Sequence, residues 1–428
     1  MNYKRSCSAA GAVLLALSLS ACGTGEEAQK GGGESDGVVQ FMTWESAETN
    51  QQLDKLIAEK WKNDDIKLER IDAPAGDYSK KLGSLAQAKE LPDIFWCGND
   101  TEQQFSQLGL LIDWTDKFES EFSKDDFDGL DRWTTENGLG GLPSLRNVYG
   151  VWYNVDLFKE AGVDIPKPGW TWDDMYDAAK KLTGAGGSKY GLAADSLVTT
   201  DGPYTMSVYS VSAGGDPFVD DVNNPSKFTM DDKFLEGVTK LRDAIKAGSV
   251  TPPDYDQSNM ASLFASGKQP MMIGGQWHAQ SFLADAKSFE WGWVPMPSQG
   301  TPSATYDSIG MCTPNTAGAD ETFKAVAFLE KEILPQVMAD SKVAPVAYAP
   351  GRDGYLKALE ESGMTTVAET VNYNVDAEKL VGTRLTTSYA SQVNDLTTAT
   401  YLPVLKGQRP VEDLQGYVAE VEKLHQEQ

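Results

Sequence analysis

The sequence predicts an α/β protein built on a mostly parallel sheet, preceded by an N-terminal leader. Three observations lead there. From residue 38 onward, short apolar strands alternate with amphipathic helices, the pattern of βαβ units. The chain has 428 residues, 40% hydrophobic and 10% aromatic, which suits two or three domains with real cores and rules out a disordered composition. The N-terminal stretch shares neither feature and carries its own pattern.

That leader begins with Lys4 and Arg5 and continues in an apolar run from Ala9 to Leu19. The run is too short to cross a bilayer and has the size of a secretory h-region. Leu19-Ser20-Ala21-Cys22-Gly23 resembles the lipobox of bacterial lipoproteins, which implies cleavage before Cys22 and lipid attachment to it. Residues 1–21 are thus expected to be a signal peptide. Residues 22–37, rich in Gly, Glu and Ser, are expected to be a flexible tether. No other run has the length and apolarity to cross a membrane.

Val38 to Thr43 reads as a buried strand that ends at Trp44-Glu45-Ser46. Leu53, Leu56, Ile57 and Trp61 then share one helical face. Ile66 to Ile71 alternates as a strand does, completing a right-handed βαβ unit. A second helix carries Tyr78, Leu82 and Leu85, and Leu91-Pro92-Asp93 leads into a strand at Ile94 to Trp96. Thr171-Trp172-Asp173-Asp174 fits a capping box ahead of Met175, Ala178, Ala179 and Leu182. Phe234, Val238, Leu241 and Ile245 line another helix. A further helix opens at Asp320-Glu321 and is expected to close at Pro335, and Leu414, Val418, Val421 and Leu424 mark a terminal one. There is no internal repeat, so everything after residue 38 reads as one large α/β body.

Composition narrows the chemistry. With 63 acidic against 37 basic residues, the formal charge is −26, which argues against a nucleic-acid partner. The two histidines, His278 and His425, stand far apart in sequence from each other and from any cysteine pair, so no zinc motif forms. No cofactor and no metal is expected. Beyond the tether, the chain has no Gly-x-Ser-x-Gly elbow, phosphate loop, Gly-x-Gly-x-x-Gly or Cys-x-x-Cys. Asp126-Phe127-Asp128-Gly129 has the wrong spacing for a calcium loop and reads as a solvated acidic loop. No catalytic residue is assigned, although a glycosidase needs only two carboxylates, which keeps an extracellular glycoside hydrolase as the alternative. Cys97 and Cys312 either pair or stay as two separate buried thiols, with the second reading preferred.

Open parallel sheets bind ligands beyond the carboxyl ends of their strands. Three strand ends carry a tryptophan beside polar groups: Trp44-Glu45-Ser46, Trp96-Cys97-Gly98-Asn99-Asp100 and Gly274-Gly275-Gln276-Trp277-His278. An indole face accepts the C–H face of a sugar ring, while carboxylates and amides take its hydroxyls. Trp61, Trp152 and Trp172 are read as core packing instead.

The ordered fragments Leu91-Pro92-Asp93-Ile94-Phe95-Trp96, Tyr153-Asn154-Val155-Asp156-Leu157-Phe158, Trp170-Thr171-Trp172-Asp173-Asp174, Phe264-Ala265-Ser266-Gly267-Lys268 and Trp293-Val294-Pro295-Met296-Pro297 resemble the family 1 sugar-binding lipoproteins of bacterial ABC transporters, relatives of maltose-binding protein. The segment Cys97-Gly98-Asn99-Asp100-Thr101 departs from the maltodextrin branch in lacking an arginine after the acidic residue. The resemblance implies a two-lobed periplasmic-binding-protein-like fold (type II), with lobe 1 from 38–143 and 300–340 and lobe 2 from 144–299 and 341–428. Crossovers are then expected near Leu142–Arg146, Pro297–Thr301 and Gln336–Lys342. It implies a ligand cleft holding Trp44, Glu45, Trp96, Asn99, Asp100, Gln276, Trp277, His278, Tyr306 and Asp307, with Arg352 more suited to a structural salt bridge. It further implies a monomer that binds an oligosaccharide, is anchored through Cys22 on the outer face of the cytoplasmic membrane, and docks on permease subunits. A non-sugar solute such as a peptide, amine or polyol is the other alternative.

Overall fold

The computed structural model describes residues 37–73 and 78–427. The leader, Cys22 and the tether up to residue 36 lie outside the described residues. Twelve strands are described: β1 (Val38–Met42), β2 (Lys67–Ile71), β3 (Ile94–Gly98), β4 (Thr134–Thr135), β5 (Gly138–Leu139), β6 (Gly141–Asn147), β7 (Tyr149–Asn154), β8 (Leu192–Ala193), β9 (Met271–Gly275), β10 (Trp291–Pro295), β11 (Ser303–Cys312) and β12 (Lys379–Gly382). They form two main sheets and a short β4–β5 hairpin.

The first sheet runs β12-β11-β3-β1-β2, with β6 also paired to β11. β2, β1 and β3 are parallel, as their helical connections require. β11 runs antiparallel to both β3 and β6 because it enters from the other sheet. The second sheet, β10-β7-β9-β8, is mainly antiparallel. The expectation of a mostly parallel sheet therefore holds for the first sheet, where β2-β1-β3 and β11-β12 are parallel, and not for the second.

Each sheet has its own core, and the two make two lobes. Phe41, Ile94, Trp133, Leu142, Met311 and Val337 pack on the first sheet. Along β7, Val151 and Tyr153 point into a second core with Trp172, Phe234 and Tyr417, while Trp152 points into a third with Phe264, Phe282 and Trp293. The second sheet is thus covered on both faces by strict alternation. The chain passes from sheet to sheet at Val148, one residue between β6 and β7, and returns over residues 296–302. Leu142 to Arg146 lies inside β6, and Gln336 to Ser341 inside helix Leu334–Ser341. Ala344 and Val346 still pack in the first core, whereas Tyr355 belongs to the third.

The helix signals have visible causes. Ser46 caps Ala47–Lys60 by accepting the Thr49 N–H at 3.2 Å, which buries Leu53 and Ile57. Thr171 and Asp174 bond reciprocally ahead of Trp172–Leu182. Helix Gly202–Ser212 is buried on every side and so has no amphipathic signature to read. Pro335 does not end its helix. A π-helical turn at Leu329–Ile333 precedes it, and the helix resumes as Leu334–Ser341. The wider turn accommodates a residue that has no N–H to give.

Cys97 and Cys312 form a disulfide, with Cα atoms 6.0 Å apart, rather than two separate thiols. Antiparallel pairing of β3 with β11 sets Cys97 beside Gly310 and Cys312 beside Phe95, which brings the thiols within bonding range. The 126–129 segment is also less solvated than its composition suggests. Phe127 is buried, and Asp128 is paired with Arg352 and lies 3.7 Å from Arg146.

Candidate ligand-binding site

A cavity of about 250 Å³ lies where the carboxyl ends of β1 and β3 meet β11. One wall is Trp44, Tyr78, Trp96 and Gly98-Asn99-Asp100, where β3 passes into helix Asn99–Gln107, and the middle is Asn147 with Tyr306 to Ile309. The opposite wall is Val222, Thr383, Arg384 and Thr386, from the side of the second core.

The aromatic wall is locked from below. Trp96 is fully buried, with its ring at the edge of Phe41 (5.5 Å between centroids). Tyr78 donates its hydroxyl to the Trp96 and Met42 carbonyl oxygens at 2.9 and 3.2 Å, tying the two strand ends together. Trp44, half-buried, stands perpendicular to Tyr78 at 5.0 Å and tilted against Trp96 at 6.4 Å. Trp44 therefore offers the accessible ring, and Trp96 is its support.

The polar rim is charged. Asn99 donates to the Arg132 carbonyl oxygen at 2.8 Å, and Asp100 lies 3.7 Å from Arg384. Asp307 accepts from Asn147 at 3.2 Å and from the Tyr149 hydroxyl at 3.1 Å, both on Oδ2. Arg132 and Arg146 both lie over the Tyr306 ring, each 4.6 Å from its centroid, and the Tyr306 hydroxyl donates to the Asp128 carbonyl oxygen. Burial alone would lower the Arg384 pKa, but Asp307, Asp201 and Asp100 outweigh it and raise the value. Asp201 is itself raised, chiefly by burial, with Arg384 pulling the other way.

Four expected site residues fall outside the cavity lining. Glu45 is half-buried. Burial pushes its carboxyl up to about 7, and the nearby Trp96 indole N–H offsets part of that without completing a bond of normal geometry. Gln276 is fully buried, and its amide is taken up by Val148 and Asn147. Trp277 is 37% exposed and packs edge-on against Tyr149 at 5.4 Å, one residue removed from Asp307. His278 stacks on Phe282, and burial lowers its pKa to about 4. Gly275 makes room for Trp277, since a Cβ there would lie 1.9 Å from that ring.

Sequence reading brought Trp44, Trp96, Asn99, Asp100, Tyr306 and Asp307 to one cavity. It missed Tyr78, Arg132, Asn147 and Arg384. Tyr78 sits on a helix face that looked like core. Arg384 follows a strand whose partner is remote in sequence, so no local pattern marks it.

Among the described residues, no group of three or more His, Cys, Asp or Glu side chains is placed to hold a metal ion. Residues 44–332 match the family model described as bacterial extracellular solute-binding protein. The chain belongs to that family. A galactooligosaccharide-binding protein of Bacillus subtilis is 25% identical to this solute-binding protein over 332 residues, covering 76% of this chain and 73% of the relative. A lipoprotein of Streptomyces antibioticus is 25% identical over 343 residues, 76% of this chain and 72% of that one. An ABC substrate-binding protein from Listeria monocytogenes, solved in complex with cycloalternan, superimposes with a TM-score of 0.74 at 21% identity, over 91% of this chain and 99% of that one. The shared architecture is the two-lobed fold that the fragments along the sequence implied.

Proposed function

We propose that this solute-binding protein captures an oligosaccharide outside the cell and delivers it to the permease of an ABC importer. The observation that carries the reading is the cavity between the lobes, with an accessible indole on one wall and a rim of carboxylates, amides and a guanidinium. Such a rim suits several hydroxyls at once, and the indole suits the C–H face of a ring. The galactooligosaccharide and cycloalternan binders among the relatives support the same ligand class. In this reading Trp44 stacks on a sugar ring over Trp96, while Asn99, Asp100, Asp307 and Arg384 bond hydroxyls. Trp277 and Tyr149 extend the platform past the cavity for a further ring. The ligand is bound and released with no bond broken.

Residues 38–147 and 303–346 would form lobe 1, and 149–295 with 355–427 lobe 2, whose β12 pairs with β11 across the junction, and the lobes would close on the ligand by rotation about the crossovers. Cys22 would carry the lipid that holds a monomer at the outer face of the membrane. The test is calorimetric titration of residues 23–428 with di- to tetrasaccharides, followed by chromatography of each sample. Micromolar or tighter binding with intact sugar is expected. Cleaved sugar would mean a hydrolase, and an absence of heat across the panel would mean a non-carbohydrate solute.

A further inference from the structure

The residue at which the chain first changes sheets, Val148, is held by a buried side chain linked to the cavity. Gln276, at the end of β9 in the second sheet, has no exposed surface. Its Oε1 accepts the Val148 N–H at 2.9 Å, and its own backbone N–H donates to the Val148 carbonyl oxygen at 3.3 Å. Its Nε2 donates to Asn147 Oδ1 at 3.2 Å. Asn147, the last residue of β6, passes the connection on by donating to Asp307 Oδ2 at 3.2 Å. Tyr149, the first residue of β7, donates its hydroxyl to the same oxygen at 3.1 Å.

The residues before and after the crossover therefore converge on one oxygen of one cavity carboxylate, while the crossover residue itself is bonded to Gln276. Rotation of one lobe against the other about Val148 must change the geometry of at least one of these bonds. Loss of either Gln276 side-chain bond would leave its amide group unsatisfied where water does not reach it, so the clamp favours one angle. Asp307 Oδ1 takes no protein donor among the hydrogen bonds of the described residues, which leaves it for a ligand hydroxyl.

We propose that Gln276 and Asn147 form a hinge clamp that sets the resting angle between the lobes and couples it to occupancy of Asp307. Gln276, which touches no part of the cavity, is a positioning residue, whereas Asn147 lines the cavity and also holds Asp307. The proposal rests on the two-lobed binding reading, but its test needs no sugar, so either can fail without the other.

The experiment places spin labels on exposed sites of the two lobes, through Glu59→Cys and Lys246→Cys in the mature chain with its disulfide intact. Interlobe distances are then measured by pulsed electron resonance without ligand. Gln276→Met keeps length and volume but removes both bonds, and the distance distribution should shift or broaden beyond the wild-type width. Gln276→Glu keeps an acceptor for Val148 and should fall between the two. A role confined to stability would lower the melting temperature and leave the distances where they were. A Gln276→Met distribution superimposed on wild type would overturn the clamp. Should that variant fail to fold, Asn147→Ala spares the Val148 bonds and should broaden the distribution in the same way. Superposition there would overturn the proposal equally.

Discussion

At the scale of single residues, burial decides which aromatic and acidic groups can act. Trp44 and Trp277 both keep an accessible face near the site, but of the two only Trp44 lines the cavity. Replacing Trp44 by Ala should weaken binding of any sugar in the titration panel by about 2 kcal/mol, as a buried aromatic anchor does. Trp277→Ala should spare disaccharides and weaken tri- and tetrasaccharides, and calorimetry on the two variants separates these roles. Buried carboxyls set the pH dependence of stability. Burial raises Glu102 and Glu330 from 4.5 to about 8. The folded state then holds more protons than the unfolded chain between those values, so stability falls as pH rises through that window. His278, lowered by burial from 6.5 to about 4, has the opposite sign and loses stability as pH falls across its own range. Above pH 6.5 the carboxyls act alone. Glu330→Gln keeps an acceptor for the Ser144 hydroxyl, which Glu330 Oε1 takes at 2.5 Å, and removes the charge. Its melting temperature should exceed wild type at pH 8.5 and match it near pH 5. Equal melting at both would show that Glu330 is not the titrating group.

At the scale of elements, β11 organises the molecule. It pairs with β12 through Ser303 to Tyr306, with β6 through Asp307 to Cys312, and with β3 through Ile309 to Cys312. Tyr306 and Asp307 thus sit where three strand ends meet, which is why they face the cavity. The disulfide staples β11 to β3, across a sequence separation of 215 that contains the whole excursion through the second sheet. Closing so long a loop stabilises the fold by about 5 kcal/mol in the chain-entropy account. Reduction should therefore lower the thermal midpoint substantially, by scanning calorimetry with and without dithiothreitol. Because Cys97 lies two residues before the helix that opens with Asn99 and Asp100, reduction should also weaken sugar binding. An unchanged midpoint would show that the crosslink restrains nothing the strands do not already hold.

At the scale of the whole molecule, an acidic two-lobed body is expected to work at a membrane surface. No described helix is long and apolar enough to span one. In the proposed reading, retention at the cell surface falls to Cys22. Cys22→Ala should move the protein from the membrane fraction to the medium, and mass spectrometry of the wild-type N-terminus should find a diacylated cysteine. Wild type recovered in the medium without lipid would refute the anchor.

What the sequence determined by itself was local. The strand–helix alternation, the Ser46 and Thr171 caps and the tryptophans at strand ends were all legible, because a short segment's periodicity and capping chemistry report its own conformation. The same reading put Trp44, Asn99 and Asp100 at one strand-end site, because carboxyl ends of parallel strands share an edge. Tertiary structure alone decided what depends on strands meeting across a long separation. The antiparallel entry of β11 brought Cys97 to Cys312 and Asp307 to Asn147, and it placed Arg384 opposite Asp100. Packing also separated roles that look alike in sequence: Trp96 and Gln276 carry the same local signals as Trp44 and Asn99, yet burial makes the first a support and the second a hinge bond. Long-range pairing and burial are properties of the assembled chain, and no window of residues contains them.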